Sequence, residues 1–211
     1  MSKTFLASLA LAGFFAFAPP AAAAFLLQDD FNGENGGSSL LNYNALSNWT
    51  VSKGTIDLIG NGSWDFYPGN GLYLDMDGTG IDSGGITSRT NFALGTGTYT
   101  LSFMLGGSQR WDGTNTVRVA LGSVFSEDFT LASNAMLQTF TRTIIVGTAG
   151  LGRLSFTQLN ARDNMGLILD NVSLASNGGA DVSEPATLLL IAGALFIFAG
   201  LRRNYGTRAI G

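Results

Sequence analysis

Asp170 lies in the stretch "GLILDNVSL", with Ile168, Val172 and Leu174 at alternate positions around it. Alternate residues of an unbroken strand share a face, so this spacing predicts a carboxylate on an apolar face. Such a group has to be paired, hydrogen-bonded, metal-bound or protonated. The chain has no histidine and no cysteine, and its oxygen donors suit calcium, which takes carboxylates and carbonyls. The alternative is a β-bulge that turns Asp170 to solvent, or a backbone N–H that satisfies it. A second acidic stretch, "DMDG" with Asp75, Asp77 and Gly78, has the start of an ion loop. It lacks the later oxygens and the distant Glu, so a strand ending in an Asp-Gly turn is expected there.

Aromatic residues form the other chemical group. "GNGSWDFYPGNG" sets Trp64, Phe66 and Tyr67 among glycines, and "QRWDGTN" carries Trp111 between two strand-like runs. Flat rings stack on sugar faces, and neighbouring Asp and Asn bind hydroxyls. Trp64, Tyr67 and Trp111 are therefore the candidate ligand-binding residues. Against this, Phe66 and Tyr67 can cap a core and Trp111 can be a lone surface residue. Trp49, in strand-like "NWTVS", is expected inside. No catalytic residue is assigned. Without His or Cys, and with Lys53 the one lysine between the chain's two ends, nucleophile–base pairs are nearly excluded. Carboxylate pairs for glycoside hydrolysis need a separation that sequence does not reveal.

The elements that must carry these residues read as strands. "TYTLSFML" places Tyr99, Leu101, Phe103 and Leu105 on one face; Val117, Val119 and Leu121 repeat the alternation, as do Phe140, Ile144 and Val146, and Leu154 and Phe156. "TIDLIG", "GLYLDMD" and "SEDFTLA" add further runs, and no amphipathic helix competes. Nine to eleven short strands separated by Gly, Asn and Asp predict an all-β fold, an antiparallel β-sandwich of jelly-roll type. No fixed repeat argues for a solenoid or propeller.

The two ends differ from this body. Lys3, an apolar run from Phe5 to Ala18, Pro19-Pro20 and four alanines describe a secretory signal helix over residues 1–24. The β-sandwich domain follows at 25–175. The polar stretch "ASNGGADVS" makes a linker, placed at 176–183. From Ala186 to Leu201 no charge occurs, and Arg202, Arg203 and Arg208 follow. At ~1.5 Å per residue, a helix of this length spans most of a bilayer core of about 30 Å. Basic residues beside it stay cytoplasmic, so the body is expected on the far side, in agreement with the signal helix. Setting aside Lys3 and these three arginines leaves seven of the 11 Lys and Arg against all 15 Asp and Glu, a formal charge of −8. That composition disfavours nucleic acid and anionic lipid.

"VSEPATLLLIAGALFIFAGLRR" resembles the sorting tail of PEP-CTERM proteins of Gram-negative bacteria. Val182, Glu184, Pro185, Thr187, Arg202 and Arg203 match that family's pattern, while Ser183 stands where its first proline usually is. The resemblance implies a sorting segment at 184–211 with a transmembrane helix at 186–201. It also implies export across the inner membrane, anchoring there before processing, and recognition by an exosortase near Glu184-Pro185. Placement at the cell surface or outside it, often with extracellular polysaccharide, would follow. The same tail occurs on proteins labelled ice-binding, a label that describes the tail. "DFYPGNGLYLDMDGT", "GTYTLSFMLGGSQR" and "GLILDNVSL" look like the sandwich bodies of such proteins, similar in turn to carbohydrate-binding jelly rolls. By that analogy one structural Ca2+ would join Asp170 to Asp30 or Asp29. The expected role is a non-catalytic surface or matrix protein that binds polysaccharide. A purely structural biofilm or adhesion component is the alternative, and a glycan-active enzyme ranks last.

Overall fold

The computed structural model describes residues 23–80, 82–160 and 162–177. Six strands form one antiparallel sheet: β1 (Ala24–Asp29), β3 (Asp57–Gly60), β4 (Leu72–Asp75), β7 (Gly97–Gly106), β10 (Gln138–Val146) and β13 (Ile168–Ser176). Their order is β10-β7-β13-β4-β3, and β1 also pairs with β13. Five strands form the second sheet, β2 (Trp49–Lys53), β5 (Gly85–Ser88), β12 (Leu154–Gln158), β8 (Thr114–Leu121) and β9 (Phe125–Ala132), hydrogen-bonded in that order. A small ribbon pairs β6 (Phe92–Leu94) with β11 (Gly150–Gly152). The antiparallel β-sandwich expected from the alternation is what the chain adopts, with thirteen strands among the described residues.

The alternating residues meet between the sheets. Tyr99, Leu101, Phe103 and Leu105 of β7 pack against Val117, Val119 and Leu121 of β8 and Leu154 and Phe156 of β12 in one buried cluster. Phe103 sits at its aromatic centre, with ring centroids 5.1 Å from Phe129, 5.3 Å from Phe156 and 5.9 Å from Phe140. Trp49 is fully buried and packs edge-on against Phe156. Where the edge strands β9 and β10 face one another, Arg142 closes the gap with a forked pair to Glu127 (2.8 and 2.6 Å) and lies over Phe129.

The outer face of the six-stranded sheet is covered at one end. Ile59, Tyr67, Tyr73 and Ile168 form a second buried cluster, with Phe66 and Leu137 against it. This explains why β3 and β4 are buried on both faces, which alternation alone did not predict. The loop between β3 and β4, containing "GNGSWDFYPGNG", folds back over the sheet and brings its aromatics to residues after β7.

A register change in β13 reshapes the expectation for Asp170. Asn171 takes φ 48°, and the pairing with β7 shifts between Asp170 and Ser173, which is a β-bulge. Leu169, Val172 and Leu174 therefore enter the central core, while Ile168 joins the outer cluster. The strand is not unbroken, so Asp170 does not share a face with Val172 and Leu174. It nevertheless stays buried, at 0% exposure. On that flank β13 pairs with β4 only at Ile168 and Leu169, and with β1 only from Val172 onward. Asp170 lies where one neighbour gives way to the other. The turn after β1 bridges the same gap, with Asn32 Oδ1 accepting from Leu72 N at 2.8 Å.

Candidate functional site: an aromatic cleft and an acidic strand junction

The two aromatic loops meet. Tyr67 is 5% exposed, and its hydroxyl donates toward the carbonyls of Gly107 (2.7 Å) and Ala135 (2.9 Å). The same oxygen accepts from Gln109 Nε2 at 2.8 Å. Burial raises its pKa, with the Gln109 bond opposing. Arg110, next in the chain, places its guanidinium 4.8 Å from the centre of the Phe66 ring. Tyr67 thus fastens the loop after β3 to the loop after β7. Its ring is spent on that packing, which corrects its assignment as a sugar-stacking residue.

Beside this junction opens a cleft of about 290 Å³. Trp64, 61% exposed, stands at its edge with φ 53°, and Leu41, Phe66, Arg110, Asp163, Asn164 and Met165 contribute to the lining. Left-handed backbone at a bulky residue is unusual and costly, and such positions concentrate at functional sites. Trp111 has the same feature, at φ 66° and 87% exposure, but does not line the cleft. It follows directly on Arg110, which does.

Carboxylates hold the cleft's walls. Asp57 of β3 and Asp75 of β4 are cross-strand partners and both are buried. Asp57 accepts from Asn42 N (2.7 Å), Thr79 N (3.0 Å) and Thr79 Oγ1 (2.6 Å). Asp75 accepts from Asp77 N (3.0 Å) and Gly166 N (2.8 Å), and pairs with Arg110. Burial pushes the Asp75 carboxyl up to about 7, against the pull of Arg110 and the two amides. Asp77 Oδ2 accepts the N–H groups of Asp163 (3.0 Å), Asn164 (2.9 Å) and Met165 (3.4 Å), while burial raises its pKa. The "DMDG" acids therefore anchor the 163–166 backbone that walls the cleft. Arg110, Asp163 and Asn164 were not singled out in sequence. Their only signal was adjacency to Trp111 or to a strand start.

At the strand junction, Asp170 accepts from Asn171 N (2.7 Å) and Asn171 Nδ2 (3.1 Å). Burial first, then the charges of Asp30 and Asp29, push its carboxyl up to about 7. Asp29 is engaged elsewhere: Oδ1 caps Phe31 N (2.9 Å), and Oδ2 accepts from Trp49 Nε1 (2.8 Å) and Asn48 Nδ2 (3.0 Å). Asp30 Oδ1 accepts from Asn32 N at 3.1 Å. A polar cleft of about 650 Å³ adjoins, lined among others by Asp29, Asp30, Glu34, Asn48 and Asn171. Among the described residues no three His, Cys, Asp or Glu converge closely enough to hold a metal ion.

Val182, Glu184, Pro185, Thr187, Arg202 and Arg203 lie outside the described residues, as do most of the signal helix and the whole transmembrane helix expected at the ends. No helix among the described residues is long and apolar enough to cross a membrane.

No family model matches the chain, and no curated protein matches its sequence. Solved structures do resemble it. The CBM22-1 xylan-binding domain from Paenibacillus barcinonensis aligns with a TM-score of 0.48 and 10% identity, over 75% of this chain and 98% of that one. The CBM22-1–GH10 modules of a Clostridium thermocellum endo-1,4-β-D-xylanase, complexed with xylohexaose, align at 0.45 and 16%. There the match covers 74% of this chain but spans only 29% of the xylanase. The K3 cleaved adhesin domain of Lys-gingipain from Porphyromonas gingivalis aligns at 0.43 and 16%, over 72% of this chain and 98% of that one. At these scores and identities the likeness decides neither ligand nor activity.

Proposed function

We propose that this chain is an exported, non-catalytic surface protein whose sandwich binds extracellular polysaccharide at the cleft edged by Trp64. One observation carries this: an exposed tryptophan, held in left-handed backbone, stands over a cleft whose loops are latched together by Tyr67. Sugar sites combine an aromatic platform with a few fixed polar groups, and this cleft has both. Asp57 and Asp75 are cross-strand neighbours on β3 and β4. Each spends its oxygens on internal donors, which supports binding over turnover.

A structural calcium belongs to the same proposal. Asp170 is a buried carboxylate with two acidic neighbours, Asp30 and Asp29, and among the described residues its hydrogen bonds come from Asn171 alone. Carboxylate oxygens are the ligands a hard cation takes, and a bound cation would relieve the mutual repulsion of these acids. Asp30 and Asp170 would hold it, because no oxygen of either accepts more than one hydrogen bond among the described residues, whereas Asp29 Oδ2 accepts two. When bound it would neutralise the junction and brace β13 against the turn after β1.

The address rests on the tail. Val182, Glu184, Pro185 and Thr187, followed by the apolar run and Arg202-Arg203, support exosortase sorting through the inner membrane. Mass spectrometry of secreted and membrane fractions tests it: mature protein should end near Glu184-Pro185, and intact chain everywhere would overturn it. A glycan array tests the binding role, with Trp64→Ala as control. Binding that is lost in the variant supports the site; no hit on any glycan favours a purely structural component.

A further inference from the structure

The polar groups around the Trp64 cleft are unequal in kind, and this names a ligand class. The inference rests on the polysaccharide reading above. Thr79 donates its hydroxyl proton to Asp57 Oδ2 (2.6 Å), so only lone pairs remain to it. With its amide assigned by its surroundings, Asn164 directs its N–H groups to the carbonyls of Gly78 and Gly80 (3.1 Å each), which leaves its oxygen. Asp57 and Asp163 are carboxylates, and among the described residues the Asp163 side chain meets no donor. Met165 offers a soft thioether, and Trp64 offers the electron-rich face of its exposed ring. Arg110 is the one cation in the lining; its Nη2 is paired with Asp75 and it is stacked on Phe66, while its buried Nε–H and the indole N–H of Trp64 remain as side-chain donors without a partner among the described residues.

A cleft in which acceptors and carboxylates outnumber the donors and the single cation selects a ligand rich in donors and positive charge. We infer that it takes a protonated amino sugar, a hexosamine unit with a free ammonium, within a polysaccharide. The ammonium brings three N–H donors and one charge to Asp163, while the apolar face of the sugar ring lies on Trp64. Uronic acid polymers meet the opposite condition, a sandwich body with 13 acidic against 7 basic residues and a cleft without an unpaired cation among its described residues.

The test uses the full chain, solubilised in a detergent without a sugar headgroup, and tryptophan fluorescence with calorimetry. Three probes of equal length are compared: a glucosamine hexamer, its fully N-acetylated form and an oligogalacturonate. The free amine should bind at least about tenfold more tightly than the N-acetylated form, which corresponds to ~1.4 kcal/mol. Asp163→Asn should weaken free-amine binding far more than N-acetylated binding and so remove most of that preference, and Trp64→Ala should abolish both. Equal or tighter binding of the N-acetylated or acidic probe would overturn the amino-sugar inference and leave the polysaccharide reading standing. No response to any probe, where a glycan array does give a Trp64-dependent hit, overturns the inference alone. Silence in both overturns the two together.

Discussion

Tyr67→Phe removes one oxygen atom and keeps the ring, so it isolates the latch from the packing. The lost hydroxyl serves Gly107 O, Ala135 O and Gln109 Nε2. Ala135 O keeps Gln109 Nε2 as a donor at 2.8 Å and also accepts Gly107 N at 2.9 Å. Gly107 O is the group left bare. A buried polar group without its partner costs about 1–3 kcal/mol. Taking about 2 kcal/mol, and ~2–4 °C per kcal/mol for a domain of this size, the melting temperature should fall by about 4–8 °C. If the loss falls on the closed arrangement of the two loops, polysaccharide affinity should weaken by up to about thirtyfold. Scanning calorimetry and titration on the same preparation read both numbers. Tyr99→Phe is the control, since its hydroxyl bonds Gly95 O (3.1 Å) away from the cleft and should cost stability without affinity. A stability loss in Tyr67→Phe with affinity intact would refute the latch, as would no stability loss at all.

Asp75 and Asp170 both titrate near 7 in the folded protein, well above about 3.9 for an unfolded aspartate, so the native state holds extra protons between these values. Stability should therefore fall as pH rises from about 4 to about 7, and a flat melting profile across that window would contradict the burial of these groups. In chelator at pH ~8, Asp170→Asn should melt higher than the parent, because it removes an unpaired buried charge; added calcium should stabilise only the parent. Unchanged melting on adding calcium removes the ion from the proposal. Arg142→Ala opens the edge between β9 and β10 and should cost about 1 kcal/mol, since the pair with Glu127 is roughly one-third exposed and the guanidinium also covers Phe129. Phe103→Ala empties the aromatic centre and should cost about 3–5 kcal/mol by denaturant unfolding. A loss below that of Arg142→Ala would mean the core is centred elsewhere.

Period-two alternation determined most of the fold, because a side chain's face depends only on parity while a strand runs unbroken. Tyr99 to Leu105, Val117 to Leu121, and Leu154 with Phe156 are inside for that reason alone. Four strands escaped notice: β5, β6 and β11, whose three or four residues with Gly or Ala carry too little alternation to register, and β1, which follows directly on the alanines of the expected signal helix. Parity also misled at Asp170, where one extra residue in β13 moved it to the other side of the sheet. The bulge breaks the pairing with β7 where, on the other flank, β4 gives way to β1, and those partners are remote in sequence.

The candidate site divides the same way. Composition and the two ends determined what chemistry was available: no His or Cys, acids and amides for oxygen ligation, and tryptophans set among glycines. Tertiary structure alone decided which of those groups meet. It buried Tyr67 as a latch, turned Asp77 into an anchor for three backbone amides, and set Arg110, Asp163 and Asn164 around Trp64. A residue's type is local, but its hydrogen-bond partners lie tens of residues away, so only the folded chain determines which donors are spent and which acceptors face a ligand.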